Sequence, residues 1–343
     1  MNKNISTFTQ MIDTYKERIY NTILEYTPTG EPKELNMEAL RCYIDRKGQY
    51  RRPTFLLAWA QLYGLDPNTV ILPAAIQQIS EDYFLMHDDI LDNNKLRRGK
   101  PAAHVLFGNE IAIIAGDMVH MILWKMVLDA QKKLNKSISK KYIEKFYDIM
   151  LVTHQGQYYD IKNSSSIDIK KFTPDDYFKS IHAKSAYYSV YGPMQCGAIL
   201  AGANENELDK IKRYGTLCGN AFQIKDDILD CISTENTLGK SIGNDIQQGT
   251  RTLILWHAIH HASSIKANRI YDIYNKKSRD SKDIMKMITF FNELGSISYA
   301  QEIAQKLTSD ALDIFNIVHS NMPENETKKI AREGIGQVTE RKK

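Results

Sequence analysis

Cysteine, proline and glycine are all scarce in this chain, and each scarcity excludes something. The 4 cysteines among 343 residues (Cys42, Cys196, Cys218, Cys231) are scattered, with no CxxC pair. They read as reduced core thiols of a cytosolic protein, not as a disulfide framework. Only 9 prolines and 18 glycines exclude a collagen-like or proline-rich disordered chain. An excess of one charge sign is also missing. Lys+Arg number 45 against 41 Asp+Glu, a formal +4 that is too weak over this length to argue for nucleic acid or a membrane surface. Long hydrophobic runs are missing too. The most apolar stretch, residues 111–128, is broken by Asp117, His120 and Lys125, whereas a membrane span needs about 20 mostly apolar residues. That stretch reads as a buried helix of a soluble protein. The start, Met1-Asn2-Lys3-Asn4, leads into no apolar targeting segment. Tandem repeats and low-complexity regions are absent.

What is present is an ordinary globular composition, 43% hydrophobic and 25% charged, enough for a large core. Length alone slightly favours two domains over one. The pattern predicts helix after helix. Tyr15, Ile19, Ile23 and Tyr26 recur at helical spacing, as do Phe146, Ile149, Met150 and Thr153, and then Ile303, Leu307, Ala311, Ile314 and Val318. Sustained period-two alternation and Asn-Gly hairpin signals are lacking. Prolines 28, 32, 53, 67, 101, 174 and 323 fall at expected helix boundaries. Thr173-Pro174-Asp175-Asp176 reads as N-cap, first helical position and acidic first turn. Residues 162–171 read as a short polar surface loop. The histidines of His257-Ala258-Ile259-His260-His261 lack a nearby Cys or carboxylate partner and read as a surface cluster in preference to a zinc site.

One long-range echo carries chemistry. Asp88-Asp89-Ile90-Leu91-Asp92 returns as Asp226-Asp227-Ile228-Leu229-Asp230, 138 positions on. On a helix the first and fifth residues share a face. Asp88 with Asp92, and Asp226 with Asp230, can therefore each offer two carboxylates to one cation site. Crowded carboxylates resist ionisation, and hard cations relieve them; oxygen ligands with room for phosphates point to Mg²⁺. A lone cluster of this kind would be as well explained as an exposed acidic helix end. Two copies, each after an apolar run and the first soon followed by Arg97-Arg98, shift the balance. Adjacent arginines supply the bidentate donors that a diphosphate requires.

These segments resemble the trans-isoprenyl diphosphate synthase (polyprenyl synthetase) family, from about Tyr43 to the C-terminus. The resemblance rests on His87-Asp88-Asp89-Ile90-Leu91-Asp92 with Arg97-Arg98-Gly99, on Gly156-Gln157 with Asp160, and on Lys184-Ser185. It continues through Gly219 to Asp230, then Leu238-Gly239-Lys240 and Gly243-Asn244-Asp245. It implies an all-α, single-domain helical bundle over residues 1–343 around a central cavity, residues 1–34 forming an N-terminal helical extension. It also implies a homodimer with neither nucleic-acid partner nor membrane span. By resemblance Asp88, Asp92 and Asp226, joined by Asp89 and Asp230, hold up to three Mg²⁺ ions. Arg97, Lys184, Ser185, Gln157, Gln223 and Lys240 meet an allylic diphosphate. Lys184 and Gln223 also act in catalysis, and Gln49, Arg52 and Arg98 meet isopentenyl diphosphate. Ionisation of the allylic diphosphate leaves a carbocation that the isopentenyl double bond attacks.

Three positions depart from the family pattern at the isopentenyl site: Gln49 stands for a Lys, Glu81 for a His or Gln, and Thr250 for a Lys. Phe84 and Tyr83, four and five residues before the first aspartate, are bulky and by the resemblance imply a floor that stops the product near fifteen carbons, as farnesyl diphosphate. Two other readings stay open: a terpene cyclase on the same fold, and a non-catalytic subunit of a hetero-oligomeric synthase. The intact second aspartate motif argues against both. The basic end Arg341-Lys342-Lys343 reads as a frayed terminus in preference to a flap over bound diphosphate.

Overall fold

The computed structural model describes residues 5–166, 168–232 and 242–340. Among them, strand is confined to one two-stranded hairpin, and the rest of the regular structure is helical. The bundle is built from α1 (Phe8–Leu24), α3 (Arg51–Leu62), α4 (Ile71–Leu91), α6 (Asn109–Lys133), α7 (Lys136–Ser166), α9 (Gly192–Leu200) and α10 (Glu205–Ile232). The short α2 (Arg41–Ile44), α5 (Ala103–Phe107) and α8 (Pro174–Ile181) lie between them in the chain. Five further helices follow: α11 (Asn244–Gln248), α12 (Leu253–His261), α13 (Ser264–Tyr274), α14 (Ser281–Glu293) and α15 (Ser296–Val318). The last is α16 (Glu326–Glu340). A wide-turn π-helical stretch, His182–Tyr191, joins α8 to α9.

Apolar residues fall into two buried clusters. The larger is centred on α3, α4, α6, α7 and α9; the smaller gathers Tyr177, Ile254, Ile270, Phe290 and Phe291. Two long helices belong to both. From α10, Tyr214 and Cys218 enter the larger cluster and Ile224 and Ile228 the smaller. From α15, Ala311 and Phe315 enter the larger and Ala300 and Ala304 the smaller. These two helices pack along each other. The N-terminal helix is part of the core: Phe8, Met11, Tyr15, Ile19 and Ile23 are buried, and Phe8 meets Phe55 at 5.0 Å between ring centroids.

Thr173 caps α8 in a capping box with Asp176, with Pro174 in the first turn, as the local sequence predicts. Three expectations are corrected. Residues 162–166 continue α7 and do not start a loop. The buried line of α15 is Ala300, Ala304, Thr308, Ala311 and Phe315, so Ile303, Leu307, Ile314 and Val318 flank it; small side chains take the line where α10 packs. His257 is buried, stacked 3.9 Å from His261 and 4.3 Å from Tyr299, and hydrogen-bonded to Ser296. His257 is thus packing, whereas His260 and His261 are exposed on the surface as expected. Helix α6 is long and apolar enough to cross a membrane by length and composition. One face of it, with Ala112, Ala115, Val119, Leu123 and Met126, is buried in the bundle.

Candidate active site

The bundle encloses a cavity of about 750 Å³. Its wall is charged at one side and apolar or aromatic at the other. Asp88 and Asp226, the first residues of the two motifs, both line it, although 138 positions separate them. Arg52, Arg97, Arg98, Lys184, Gln157, Gln223, Ser185 and Gln49 line it as well. So do Tyr83, Phe84, Leu85 and Phe222. Lys240 and Arg341-Lys342-Lys343 lie outside the described residues.

Helical phase gives the six aspartates different surroundings. Asp88 accepts from Gln157 Nε2 at 2.9 Å. The second residue of each motif turns inward and is held by a tyrosine: Tyr43 donates to Asp89 at 2.5 Å and Tyr177 to Asp227 at 2.6 Å. Asp89 is fully buried, and Arg97 and Asn94 also bond its oxygens. Asp230 is fully buried too and accepts from the Asp245 amide at 3.0 Å. Asp89, Asp92 and Asp230 do not line the cavity; the complete burial of Asp89 and Asp230 is what departs from the expected ligand role. Their carboxylates are spent on Arg97, Tyr43 and the α11 amide. Arg97 in turn is anchored by Asp89 at the cavity edge, one guanidinium face already engaged. Asp92 caps α4 and stays half-buried. Burial, then Asp88 and Asp160, push its pKa up to about 7 against the pull of Lys184. Burial disfavours the charged form first, and the neighbouring carboxylates add to it.

Lys184 sits on the π-helical stretch and pairs with Asp160 at 2.6 Å. Burial would pull its pKa down, but Asp160, then Asp88 and Asp92, hold it above the ordinary range. The wide turn presents Lys184, Ser185, Tyr188 and Ser189 to one cavity; such π segments are frequent at functional sites. Gly156 lets α7 close on this stretch, since a Cβ there would lie 2.4 Å from the Lys184 amide nitrogen. The close approach puts Gln157 and Asp160 beside Asp88 and Lys184 respectively. Gln223 donates to Asp227 at 2.8 Å.

On the opposite wall the hairpin β1 (Leu96–Arg97) and β2 (Lys100–Pro101) turns through Arg98 at φ +54° and Gly99 at φ +73°. Two positive φ values make a tight primed turn. Arg98 tolerates the left-handed region because its guanidinium is bonded on arrival, to Tyr43 O at 2.7 Å and Asp82 at 2.9 Å. Arg52 lies 4.7 Å over the Tyr188 ring and bonds Ser189. Lys47 and Tyr50, also at positive φ, line the same side. Clustering of such backbone at one cavity is typical of functional sites.

The aromatic end holds Tyr83 and Phe84 at 5.1 Å. Tyr83 stacks on His120 at 4.4 Å, and its hydroxyl lies 2.9 Å from His154 Nε2. His154 Nδ1 faces the Met150 carbonyl at 2.7 Å, so that nitrogen carries the proton and Tyr83 donates. Sequence reading missed Tyr43, Asp82, His120 and His154. Their partners are remote in the chain, and none belongs to a spaced motif.

The site is thus a helical bundle's cavity that brings carboxylates, guanidiniums and Lys184 together with aromatic side chains. The polyprenyl synthetase family model matches residues 33–291, and the chain belongs to that family, as a prenyltransferase. It is 31% identical over 297 residues to the short chain isoprenyl diphosphate synthase of Methanothermobacter thermautotrophicus, covering 87% of this chain and 86% of that one. It is 29% identical to the geranylgeranyl diphosphate synthase of Sulfolobus acidocaldarius, covering 90% and 92%. Among solved structures, geranylgeranyl pyrophosphate synthetase from Pyrococcus horikoshii superposes with a TM-score of 0.82 at 29% identity, covering 97% of this chain and 99% of that one. The Caulobacter crescentus polyprenyl synthase complexed with calcium and isoprenyl diphosphate shares the fold at a TM-score of 0.87 and 22% identity, covering 99% and 100%.

Proposed function

We propose that this protein is a Mg²⁺-dependent synthase that joins isopentenyl diphosphate to an allylic diphosphate and makes a short all-trans prenyl diphosphate, mainly farnesyl diphosphate. The observation that carries the reading is the pairing of Asp88 and Asp226 on one cavity that also holds Lys184, Arg52, Arg97 and Arg98 and ends in Tyr83 and Phe84. Among the described residues, no three carboxylate, His or Cys side chains are arranged to hold a metal unaided. Asp88, Asp92 and Asp226 would therefore share Mg²⁺ with the substrate diphosphate, which fits the raised pKa of Asp92. Bound Mg²⁺, up to three ions, would supply Lewis-acid stabilisation of the departing diphosphate.

The chain's own residues do the rest. Lys184 adds fixed positive charge where the allylic diphosphate separates, with Gln157 orienting Asp88. Asp89 holds Arg97 and Asp227 holds Gln223, so both act as positioning residues. Arg52 and Arg98 take the diphosphate of isopentenyl diphosphate, with Gln49 beside them. The apolar wall excludes water from the cation, and Tyr83 and Phe84 end the space for the chain. Helices α10 and α15, shared by both clusters, support one domain. A homodimer is supported by exposed apolar residues at heptad spacing on α6 (Ile114, Met121, Leu128), with Tyr147, Leu151, Tyr158 and Ile161 on α7. Among the described residues no disulfide joins the cysteines, in keeping with a cytosolic setting.

The test is incubation with Mg²⁺, isopentenyl diphosphate and each allylic diphosphate from five to twenty carbons, followed by chain-length analysis. Farnesyl diphosphate as main product is expected. Hydrocarbons formed without isopentenyl consumption would make the protein a cyclase. Stimulation of a partner synthase without turnover alone would make it a subunit.

A further inference from the structure

Glu81 stands where the proposed chemistry has no use for a carboxylate. It lies on α4 and lines the cavity. Its Oε1 is 3.1 Å from Arg52 Nη1 and 3.6 Å from Arg98 Nη2. Gln78 donates to its Oε2 at 3.2 Å. Its side chain is only 15% exposed. Asp82 takes the other arm of Arg98 at 2.9 Å. Two guanidiniums in this corner thus face two carboxylates before any ligand arrives. Gly48 backs the arrangement, since a Cβ there would lie 2.7 Å from Arg98 Nη2.

Burial would push the Glu81 pKa up, but Arg52 and Arg98 outweigh it and hold the pKa below the ordinary carboxylate range. Glu81 is therefore charged at neutral pH. A carboxylate between two guanidiniums uses the same fork geometry that a phosphate would use. An incoming diphosphate has to share or displace it, and meets a like charge at contact range in a poorly solvated corner.

We propose that Glu81 is an internal counter-ion that competes with the diphosphate of the non-allylic substrate for Arg52 and Arg98, and so sets the affinity of that site. This rests on the assignment of those two arginines to isopentenyl diphosphate. Glu81 holds both guanidiniums in place while the site is free, and weakens binding when the site fills. It is a specificity-determining residue that touches no reacting atom. A merely structural ion pair would behave in the opposite way, because its loss would disorder the arginines and weaken binding.

Glu81→Gln keeps the shape and removes the charge, with Glu81→Ala as a second variant should the first not fold. Steady-state kinetics should show KM for isopentenyl diphosphate falling about tenfold, with kcat moving far less. Inorganic pyrophosphate, titrated calorimetrically without divalent cation, should bind tighter in similar proportion, with the gain largest at low salt. A folded variant with unchanged or raised KM and unchanged pyrophosphate affinity overturns the proposal. Failure of the wild type to consume isopentenyl diphosphate with any allylic partner would sink the synthase reading instead, and the pyrophosphate titration would still decide the role of Glu81.

Discussion

Adjacent aspartates with identical chemistry do different work here because one helical step separates an exposed site from a buried one. Asp88 faces the cavity; Asp89 faces Tyr43 and Arg97. Replacing Asp88 or Asp226 by Ala should lower prenyl transfer by on the order of 10³-fold, as removal of directed electrostatic groups does elsewhere, with thermal stability little changed. Asp89→Ala should instead leave the partly buried Arg97 without its carboxylate partner, at a cost of about 2 kcal/mol. Paired activity assays and urea unfolding separate the two outcomes. At the far end, the double change Tyr83→Ala and Phe84→Ala removes both rings of the floor. The product should lengthen beyond fifteen carbons in chain-length analysis; an unchanged distribution would show that the rings only pack.

At the scale of elements, short irregular segments place the charges and long helices carry them. The primed turn at Arg98-Gly99 and the π-helical stretch at His182–Tyr191 each aim basic side chains inward. Helix α6 shows why composition alone misleads. Its length and apolarity would suit a membrane, yet one face is buried against the bundle. The outer face, with Ile113, Ile114, Met121 and Leu128, is exposed. A second copy of the chain is the proposed cover. Met121→Lys with Leu128→Lys should therefore shift the protein from dimer to monomer in sedimentation velocity. A wild type already monomeric at micromolar concentration would count against the dimer.

At the scale of the whole molecule, a group far from the motifs should make stability fall with acid. His319 is 1% exposed, packed among Tyr63, Tyr214 and Phe315. Burial pulls its pKa down to about 4, with Lys210 and Lys328 adding and Glu207 opposing. The fold favours the neutral ring, so its contribution is intact above the ordinary value of 6.5 and is lost as pH falls toward 4. The loss amounts to about 3 kcal/mol. His319→Gln should flatten this part of the stability profile in urea unfolding between pH 6.5 and 4; an unchanged slope would assign acid sensitivity to other groups.

The sequence by itself determined the helical class, the two aspartate motifs, the basic residues that follow the first, and the family. Those features are local: a helical period, a five-residue spacing, an arginine pair. Most of the cavity wall was legible for the same reason, including Lys184, Gln157, Gln223, Arg52 and Arg98. Tertiary structure decided which carboxylates face inward. Asp92 ends α4 and stays half-buried, whereas α10 continues past Asp230, and the Asp245 amide closes over it. Tertiary structure also set Glu81 between Arg52 and Arg98, and Tyr83 against His120 and His154. Burial and remote pairing fix how a charge behaves, and neither is written in the spacing of residues along one helix.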